Sequence, residues 1–189
     1  MAEKTIEAVL KVFPRIRDIT SAELRDQVCR AWLEAWQASD YDRIEDVSQW
    51  EPAREALSIS NVDHTNGVVE CALAIAASLE LSQSVRIDRD ILIAAAVLHD
   101  LDKICLFSAT DGRPTEIGRR LGHVMAGVHL ALAAEVPLAA VHALASHSPT
   151  YSTVTPQTPE AVILKHADHI FTRVWIFQRG CEVCFDIDP

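Results

Sequence analysis

Apolar residues recur at intervals of three and four along almost the whole chain, which is the period of an amphipathic α-helix. The segment from Ser21 to Gln37 shows the pattern clearly, with Leu24, Val28 and Trp32 on one face. No stretch alternates apolar and polar residues for long enough to predict a sheet. The sequence therefore predicts an all-α protein, a single-domain compact bundle of six or seven helices.

The helix ends can also be predicted from capping residues and prolines. Beyond a cap at Thr20 or Ser21, helices are expected to begin at five further places: Asp63, Asp88 or Asp90, about Thr115, Pro137, and Pro159 or Glu160. The helix from Thr115 is expected to run unbroken to Glu135. The one ending at Leu98 is so apolar that it must be buried nearly all round.

The length of 189 residues favours one domain. Within it, the sequence suggests an N-terminal helical cap over residues 1–58, a core over 59–179 and a C-terminal tail over 180–189. The tail contains Cys181 and Cys184 in a C-x-x-C spacing, and one such pair supplies only half of a zinc site. The role of that pair is left open.

Composition excludes several classes of partner. Lys and Arg total 17 against 27 Asp and Glu, a net charge of −10, so an extended nucleic acid is not expected. The six glycines form no phosphate-binding loop. The longest stretch without charged residues, 136–159, contains prolines and cannot span a bilayer. With no apolar leader and an odd number of cysteines, five, we expect a cytoplasmic protein without a membrane partner.

Histidine and aspartate fall at suggestive places on the predicted helices. His64 opens one helix, His99 and Asp100 end another, His123 and His147 lie on two more, and Asp168 is inside the last. A single histidine on an apolar helix is usually structural, and we interpret His129, His142 and His166 in that way. Two buried aspartates are expensive unless something pairs them, and a shared cation would stabilise both.

Three cations are candidates for binding an anionic substrate. Lys103 follows His99 by four residues, so its ammonium would project over the same face if the helix continues. Arg119 and Arg120 precede His123 by four and three residues, although solvated surface positions explain that spacing equally well. His169, beside Asp168, could support a neighbouring ligand.

The motifs around these residues resemble those of the HD-domain superfamily of metal-dependent phosphohydrolases. The resemblance covers about residues 63–172 and lies in the segments DHTNGVVECAL, AAAVLHDLDK, LGHVMAG, LASHS and LKHADHI. It implies the α-helical fold of that family, with one divalent metal bound by His64, His99, Asp100 and Asp168. Members with two further histidines, matching His123 and His147, bind a second metal, and Asp100 bridges the pair.

Imidazole and carboxylate ligands suit two divalent ions, iron or manganese first, with magnesium, cobalt, nickel or zinc as alternatives. Such a pair can clamp a phosphoryl group and provide hydroxide near neutral pH. We assign catalytic roles to Asp100 and to Lys103, which would also bind the anion with Arg119 and Arg120. We expect the substrate pocket between residues 104–117, residues 148–159 and the N-terminal helices.

The chain departs from the family at Asp102, where many two-metal relatives have glycine in H-D-x-G-K. A solvent-facing side chain is the favoured interpretation, and a proton acceptor near the metals is the alternative. The His-His pair and the G-Y-P signature of relatives that cleave cyclic dinucleotides are absent, so that activity is not inferred.

Hydrolysis of a small phosphorylated metabolite or nucleotide is the predicted function. The alternative is a di-iron oxygenase that cleaves a C–C or C–P bond of a small polar substrate with dioxygen, since HD relatives with the same ligand pattern do so. A regulator with a degenerate site ranks last because no ligand is missing. The expected partners are a small anionic substrate and, as an option, a second copy of the chain in a homodimer.

Overall fold

The computed structural model describes residues 3–50 and 59–179, and these ranges are helical with no strand. The helices are α1 (Ile6–Val12), α2 (Ala22–Ala38), α3 (Asn61–Gln83), α4 (Arg89–Leu98), α5 (Lys103–Leu106), α6 (Glu116–Arg120), α7 (Met125–Ala133), α8 (Leu138–Ser146) and α9 (Pro159–Gln178). Short 3-10 turns occur at Pro14–Asp18 and Ile44–Asp46. The all-α prediction is confirmed, and within the described ranges the helices beyond the expected six or seven are the single turns α5 and α6.

Most helix starts lie where the capping residues predict them. The side chains of Ser21, Asp88 and Thr158 accept hydrogen bonds from the backbone amides that open α2, α4 and α9. The start of α3 is the exception. Its N-cap is Ser60, whose hydroxyl accepts from the amide of Asp63, so the predicted cap at Asp63 is wrong by three residues.

The predicted helix from Thr115 to Glu135 is two helices. After α6 the chain turns at Gly122, with φ of 67°, and at Val124, also with φ of 67°, before α7 begins at Met125. A left-handed glycine just past the last turn is a common helix terminator, so Gly122 was the signal for this break. His123 therefore lies between two helices and not on one.

Helix α4 forms the centre of the hydrophobic core. Every residue from Leu92 to Leu98 is buried, as its composition predicts, and the helix packs against α2, α3, α8 and α9. The indole nitrogen of Trp32 in α2 donates to the carbonyl of Val97, 3.1 Å away. One continuous apolar cluster joins the N-terminal helices to the rest, so the C-terminal end of α4 is held rigidly from several sides.

Helices α3 and α9 approach closely because of Gly67. A Cβ atom at this position would lie 2.2 Å from the ring of Phe171, which fills the space that glycine leaves. The same phenylalanine ring meets the imidazole of His64 edge-on, with the ring centroids 5.6 Å apart. The contact brings the first turn of α3 against the middle of α9, where Asp168 lies.

The proposed division into a cap, a core and a tail stays a prediction. Its first boundary falls within 51–58 and its last segment is 180–189, both outside the described residues, and the Cys181/Cys184 pair lies outside them as well. None of the helices in the described part of the chain combines the length and the apolar character needed to cross a membrane.

Candidate metal centre

The predicted ligands meet at the C-terminal end of α4. His99 is the C-cap of this helix and Asp100 follows it, with 0% and 2% of their surfaces exposed. His64 comes from the first turn of α3 and Asp168 from the middle of α9. Because α4 is locked in the core, the turn that carries His99 and Asp100 has a fixed position between its neighbours.

Four ligand atoms form one close group. The Nε2 atom of His64 lies 3.1 Å from Asp168 Oδ1 and 3.5 Å from Asp100 Oδ2. The Nε2 atom of His99 lies 3.2 Å from that of His64 and 3.4 Å from Asp100 Oδ2. Atoms that each ligate one cation at about 2.0–2.2 Å lie about 3–3.6 Å from their neighbours, so this group has the size of a metal site.

A second group forms around the other oxygen of Asp100. Its Oδ1 atom lies 3.4 Å from Nε2 of His123 and 3.9 Å from Nε2 of His147. The three residues could hold a cation between them. The two oxygens of one carboxylate thus face two different sets of imidazoles, which is the arrangement of a bridging ligand.

The hydrogen bonds of the rings show that these residues fit divalent cations. Nδ1 of His99 lies 2.8 Å from the carbonyl of Ala96, and Nδ1 of His147 lies 2.6 Å from that of Leu144. A carbonyl only accepts, so both Nδ1 atoms carry the proton and a neutral ring turns a bare Nε2 toward the carboxylates. Such lone pairs repel one another unless a positive charge lies among them, and neutral imidazole with carboxylate is a typical ligand set.

The charges at the centre are strongly coupled. Burial raises the pKa of Asp100, but the positive charges of Lys103 and His99 lower it well below its usual range. Burial likewise raises the pKa of Asp168, and the hydrogen bond from His64 lowers it to about 2. Both aspartates are therefore carboxylates, and a centre with one buried and one partly buried negative charge attracts cations.

The histidines respond in opposite ways to this environment. Burial lowers the pKa of His99, but the charge of Asp100 outweighs burial and raises it to about 9, so without a metal the Nε2 atom also carries a proton, which a bound cation would displace. Burial and the charge of His99 lower the pKa of His147 to about 4. His147 is thus neutral near pH 7, in the form that ligates metals.

Gln49 is a contact of the centre that sequence reasoning missed. Its side-chain nitrogen donates a short hydrogen bond to Asp100 Oδ2, and its side-chain oxygen accepts from Asn61 Nδ2 at 3.0 Å. Backbone pairing between residues 47–49 and 59–61 holds Gln49 beside the start of α3. No spacing rule links residue 49 to residue 100, so the sequence carried no signal for this contact.

Asp102 does not face solvent, so the favoured interpretation of this residue is wrong. It is fully buried, and its Oδ2 atom lies 2.8 Å from Nδ1 of His123. The backbone turns tightly after α4, and this turn directs Asp102 inward toward α7 instead of outward. Asp102 therefore contacts the ring nitrogen of His123 that does not face Asp100, and this contact orients the candidate ligand.

A cavity of about 480 Å³ opens above Asp100, His123, His147 and Asp168. Its walls come from segments 106–114 and 148–151, as predicted, and from residues 48–50 in place of N-terminal helices. Of the described residues, Trp50, Phe107 and Tyr151 line it with aromatic side chains in addition to the histidines. The cavity is large enough for a small organic molecule.

The cations predicted to bind substrate are only partly at the cavity. Lys103 lines it, and although burial lowers its pKa, the charges of Asp100, Asp102 and Asp168 raise it overall, so the ammonium stays charged. Arg119 and Arg120 are exposed and do not line it. The first donates to the carbonyl of Pro114 and the second pairs with Glu116 at 3.0 Å.

Arg173 lines the cavity instead of the two predicted arginines. Its Nε atom donates to Nε2 of His169, 2.9 Å away, and His169 lines the cavity too. The spacing of four between these residues on one helix was the signal available in the sequence. The three histidines interpreted as core residues do not line the cavity. His142 is partly buried and accepts from the amide of Gln157, but His129 and His166 are exposed, so the core interpretation is wrong for those two.

Comparisons with known proteins agree with this geometry. The family model of the HD domain matches residues 61–172, which include every candidate metal ligand. A dihydroneopterin 2',3'-cyclic phosphate phosphodiesterase from Methanocaldococcus jannaschii is 30% identical over 115 residues, which cover 60% of this chain. The match spans 46% of that enzyme, about half its length. No solved structure matches the chain.

Proposed function

The chain belongs to the HD-domain family, and on that premise we propose that it is a metal-dependent phosphohydrolase with a binuclear centre. Its substrate would be a small phosphorylated metabolite or nucleotide. The observation that carries the proposal is the position of Asp100, whose two oxygens face separate groups of histidines at the base of a cavity with cationic side chains.

In this proposal six residues hold the metals. His64, His99 and Asp168 would hold one cation, His123 and His147 would hold the other, and Asp100 would contribute one oxygen to each. Divalent cations, when bound, make water acidic enough to ionise near neutral pH and neutralise the oxygens of a phosphoryl group. Iron or manganese is expected first, because imidazole and carboxylate accept both.

The protein's own contribution is to bind and orient the anionic group. Lys103 is held charged by three aspartates, and a charged donor in a partly buried cavity can hydrogen-bond the phosphoryl oxygens. Arg173 offers a guanidinium, whose planar fork matches phosphate geometry, and His169 orients it. An anion can therefore bind here although the chain as a whole is acidic.

The aromatic side chains suggest what the rest of the substrate is like. Trp50 packs against Trp175 with ring centroids 4.8 Å apart, and Tyr151 meets His123 edge-on at 5.4 Å. Flat aromatic groups bind well against such rings. The name of the relative adds support, since the 2',3'-cyclic phosphate in it is a small molecule that joins a phosphodiester to a flat ring system. Nucleotides and cyclic phosphates belong in the first substrate panel.

The test measures metal content and hydrolysis together. Anaerobically purified protein is expected to contain about two metals per chain, and His123→Ala about one. The iron- and manganese-loaded forms are then assayed for phosphate or phosphomonoester release, beside oxygen consumption. Oxygen uptake without hydrolysis would overturn the proposal in favour of the di-iron oxygenase, and a content of one metal that His123→Ala leaves unchanged would overturn the binuclear centre.

A matched pair of arginine variants tests the binding of the anion. Arg173→Ala removes a charged donor from the cavity and should lower kcat/KM by about 10- to 100-fold. A hydrogen bond to a charged group contributes about 1.5–3 kcal/mol, which corresponds to a factor of that size. Arg120→Ala is the control, because Arg120 is exposed and pairs with Glu116 outside the cavity. Equal losses in both variants would contradict the role of Arg173.

A further inference from the structure

Three candidate histidine ligands have anchored Nδ1 atoms, and one of them is anchored differently from the other two. His99 and His147 each end a helix, and their Nδ1 atoms donate to a carbonyl three residues back in the same helix. His123 has no such carbonyl. Its Nδ1 atom contacts Oδ2 of Asp102, a side chain 21 residues away, at 2.8 Å.

The backbone around His123 cannot hold the ring by itself. The residue lies between α6 and α7, flanked by Gly122 and Val124, which both have φ of 67°. This region is unfavourable for valine, so the conformation persists only because surrounding contacts impose it. The hydrogen bond to Asp102 is a contact that fixes both the position of His123 and the rotation of its ring.

The position of Asp102 is costly, which indicates that it serves a purpose beyond the fold. Its Oδ1 atom is buried without a hydrogen-bond partner, and its side chain caps no helix although the residue precedes α5. An unsatisfied buried acceptor costs about 1–3 kcal/mol. Space for this oxygen depends on Gly127, since a Cβ atom there would lie 3.3 Å from it.

We propose that Asp102 is a positioning residue that sets the affinity of the second metal site. It holds His123 with Nδ1 protonated and Nε2 bare, 3.4 Å from Asp100 Oδ1, and its charge makes that nitrogen a stronger ligand. The first site does not use this contact, so Asp102 controls the occupancy of the second site alone. The inference rests on the two-cation centre of the proposed function.

The test separates orientation from charge with two variants. Asp102→Asn keeps an oxygen that can accept from Nδ1 but removes the charge, whereas Asp102→Leu removes both. Mn²⁺ binding is measured by calorimetry and by electron paramagnetic resonance, which distinguishes a coupled pair of ions from a single one. Loss of a ligand-orienting partner typically weakens metal binding by about 10- to 100-fold.

We expect Asp102→Leu to weaken the second Mn²⁺ by that factor and to abolish the signal of the coupled pair, with the first Kd unchanged. Asp102→Asn should fall between this variant and the wild type. Glu160→Gln is the matched control, because Glu160 is also a buried carboxylate but accepts from the amide of Asp88, outside the cavity. It should leave both affinities unchanged.

Two results would overturn the inference. In the first, Asp102→Leu, or Asp102→Asn if the leucine variant does not fold, binds both ions with wild-type affinity. In the second, a variant weakens both sites equally, as a general loss of structure would. A wild-type protein that binds a single Mn²⁺, unaffected by His123→Ala, would instead contradict the binuclear centre itself, so the two failures can be told apart.

Discussion

The ligands around Asp100 Oδ2 and those around Asp100 Oδ1 are held by different parts of the fold. The first group, His64, His99 and Asp168, comes from three long helices that pack against each other in the core. The second group depends on His123, which lies in a break between helices and is anchored by a side chain. Of the two proposed sites, we expect the first to be preformed and the second to be adjustable.

The two groups also differ in their position relative to the cavity, because the histidines of the second group line it and those of the first group do not. His123 and His147 are at the cavity wall, whereas His64 and His99 lie behind Asp100 and do not line it. A site at the wall can change its affinity without disturbing the core. The comparison predicts that variants will affect the two sites separately, except at Asp100.

Asp100→Ala should have the largest effect, because it removes the carboxylate that both sites share. We expect it to lose both cations and all measurable hydrolysis. Since cation binding stabilises a folded protein, the gain in Tm on adding metal should also disappear. Metal analysis and thermal unfolding with and without Mn²⁺ check this, and retention of one tightly bound ion would contradict the bridging role.

Gln49→Leu should affect the first site and spare the second. Gln49 donates to Asp100 Oδ2, the oxygen on the side of His64 and His99, and leucine has similar size without a donor. We expect the first Mn²⁺ to bind about 10- to 100-fold more weakly. Gln27→Leu, a buried glutamine in α2, serves as control. A loss confined to the second site would contradict the comparison.

Two glycine variants should separate the sites by packing alone. Gly67→Ala places a Cβ atom against Phe171 and pushes α3 from α9, so it should weaken the first site. Gly127→Ala crowds Asp102 Oδ1 and should weaken the second. Overpacking costs about 1–3 kcal/mol, and alanine regains about 1 kcal/mol of helix preference, so each net change in unfolding free energy should be near 1 kcal/mol. Calorimetric Mn²⁺ titration of both glycine variants measures which site each one weakens. Identical binding curves for the two variants would contradict the prediction that they act on different sites.

The smallest effect is expected at residues 108–110, which follow the cavity residue Phe107 but do not line the cavity. Asp40 accepts from the amide of Ala109 and from the hydroxyls of Ser108 and Thr110, next to the cavity residue Phe107. The hydrogen bond from Ala109 lowers the pKa of Asp40 below its ordinary 3.8. A lowered pKa means that this contact stabilises the folded state fully above pH 3.8 and is lost as the pH falls through the folded value.

Asp40→Asn should therefore speed hydrogen exchange of the Ala109 amide at neutral pH and leave both Mn²⁺ affinities unchanged. In the wild type, the same loss of protection relative to the intrinsic exchange rate should appear only in acid. Mass spectrometry of the peptide that contains residues 108–110 measures it. A change in either metal affinity would show that residues 108–110 and the metal centre are coupled.

Local signals in the sequence were sufficient for the helices and for most ligands. The period of three and four predicted α2, α4 and α9, because amphipathic helices bury one face whatever they pack against. The apolar run before His99 indicated that this helix end is buried. A buried aspartate without a partner is costly, so Asp100 and Asp168 pointed to a cation before any contact was known.

The errors occurred where contacts between distant segments decide the outcome. Arg119 and Arg120 have the right spacing from His123 on a continuous helix, but the turn at Gly122 directs them away and leaves Arg173 at the cavity. Asp102 was expected to face solvent because aspartate is mostly exposed in folded proteins. The turn after α4 instead buries it against α7.

The sequence by itself therefore determined the fold class, the identity of the candidate ligands and the acidic character of their surroundings, since each follows from periodicity, burial and charge within single segments. Only the tertiary structure decided which oxygen of Asp100 faces which histidines and which side chains hold them. Those relations depend on the directions in which Gln49, Asp102 and His123 meet across the fold. Side-chain direction at a helix end or in a turn is set by packing against other segments, which local sequence does not encode.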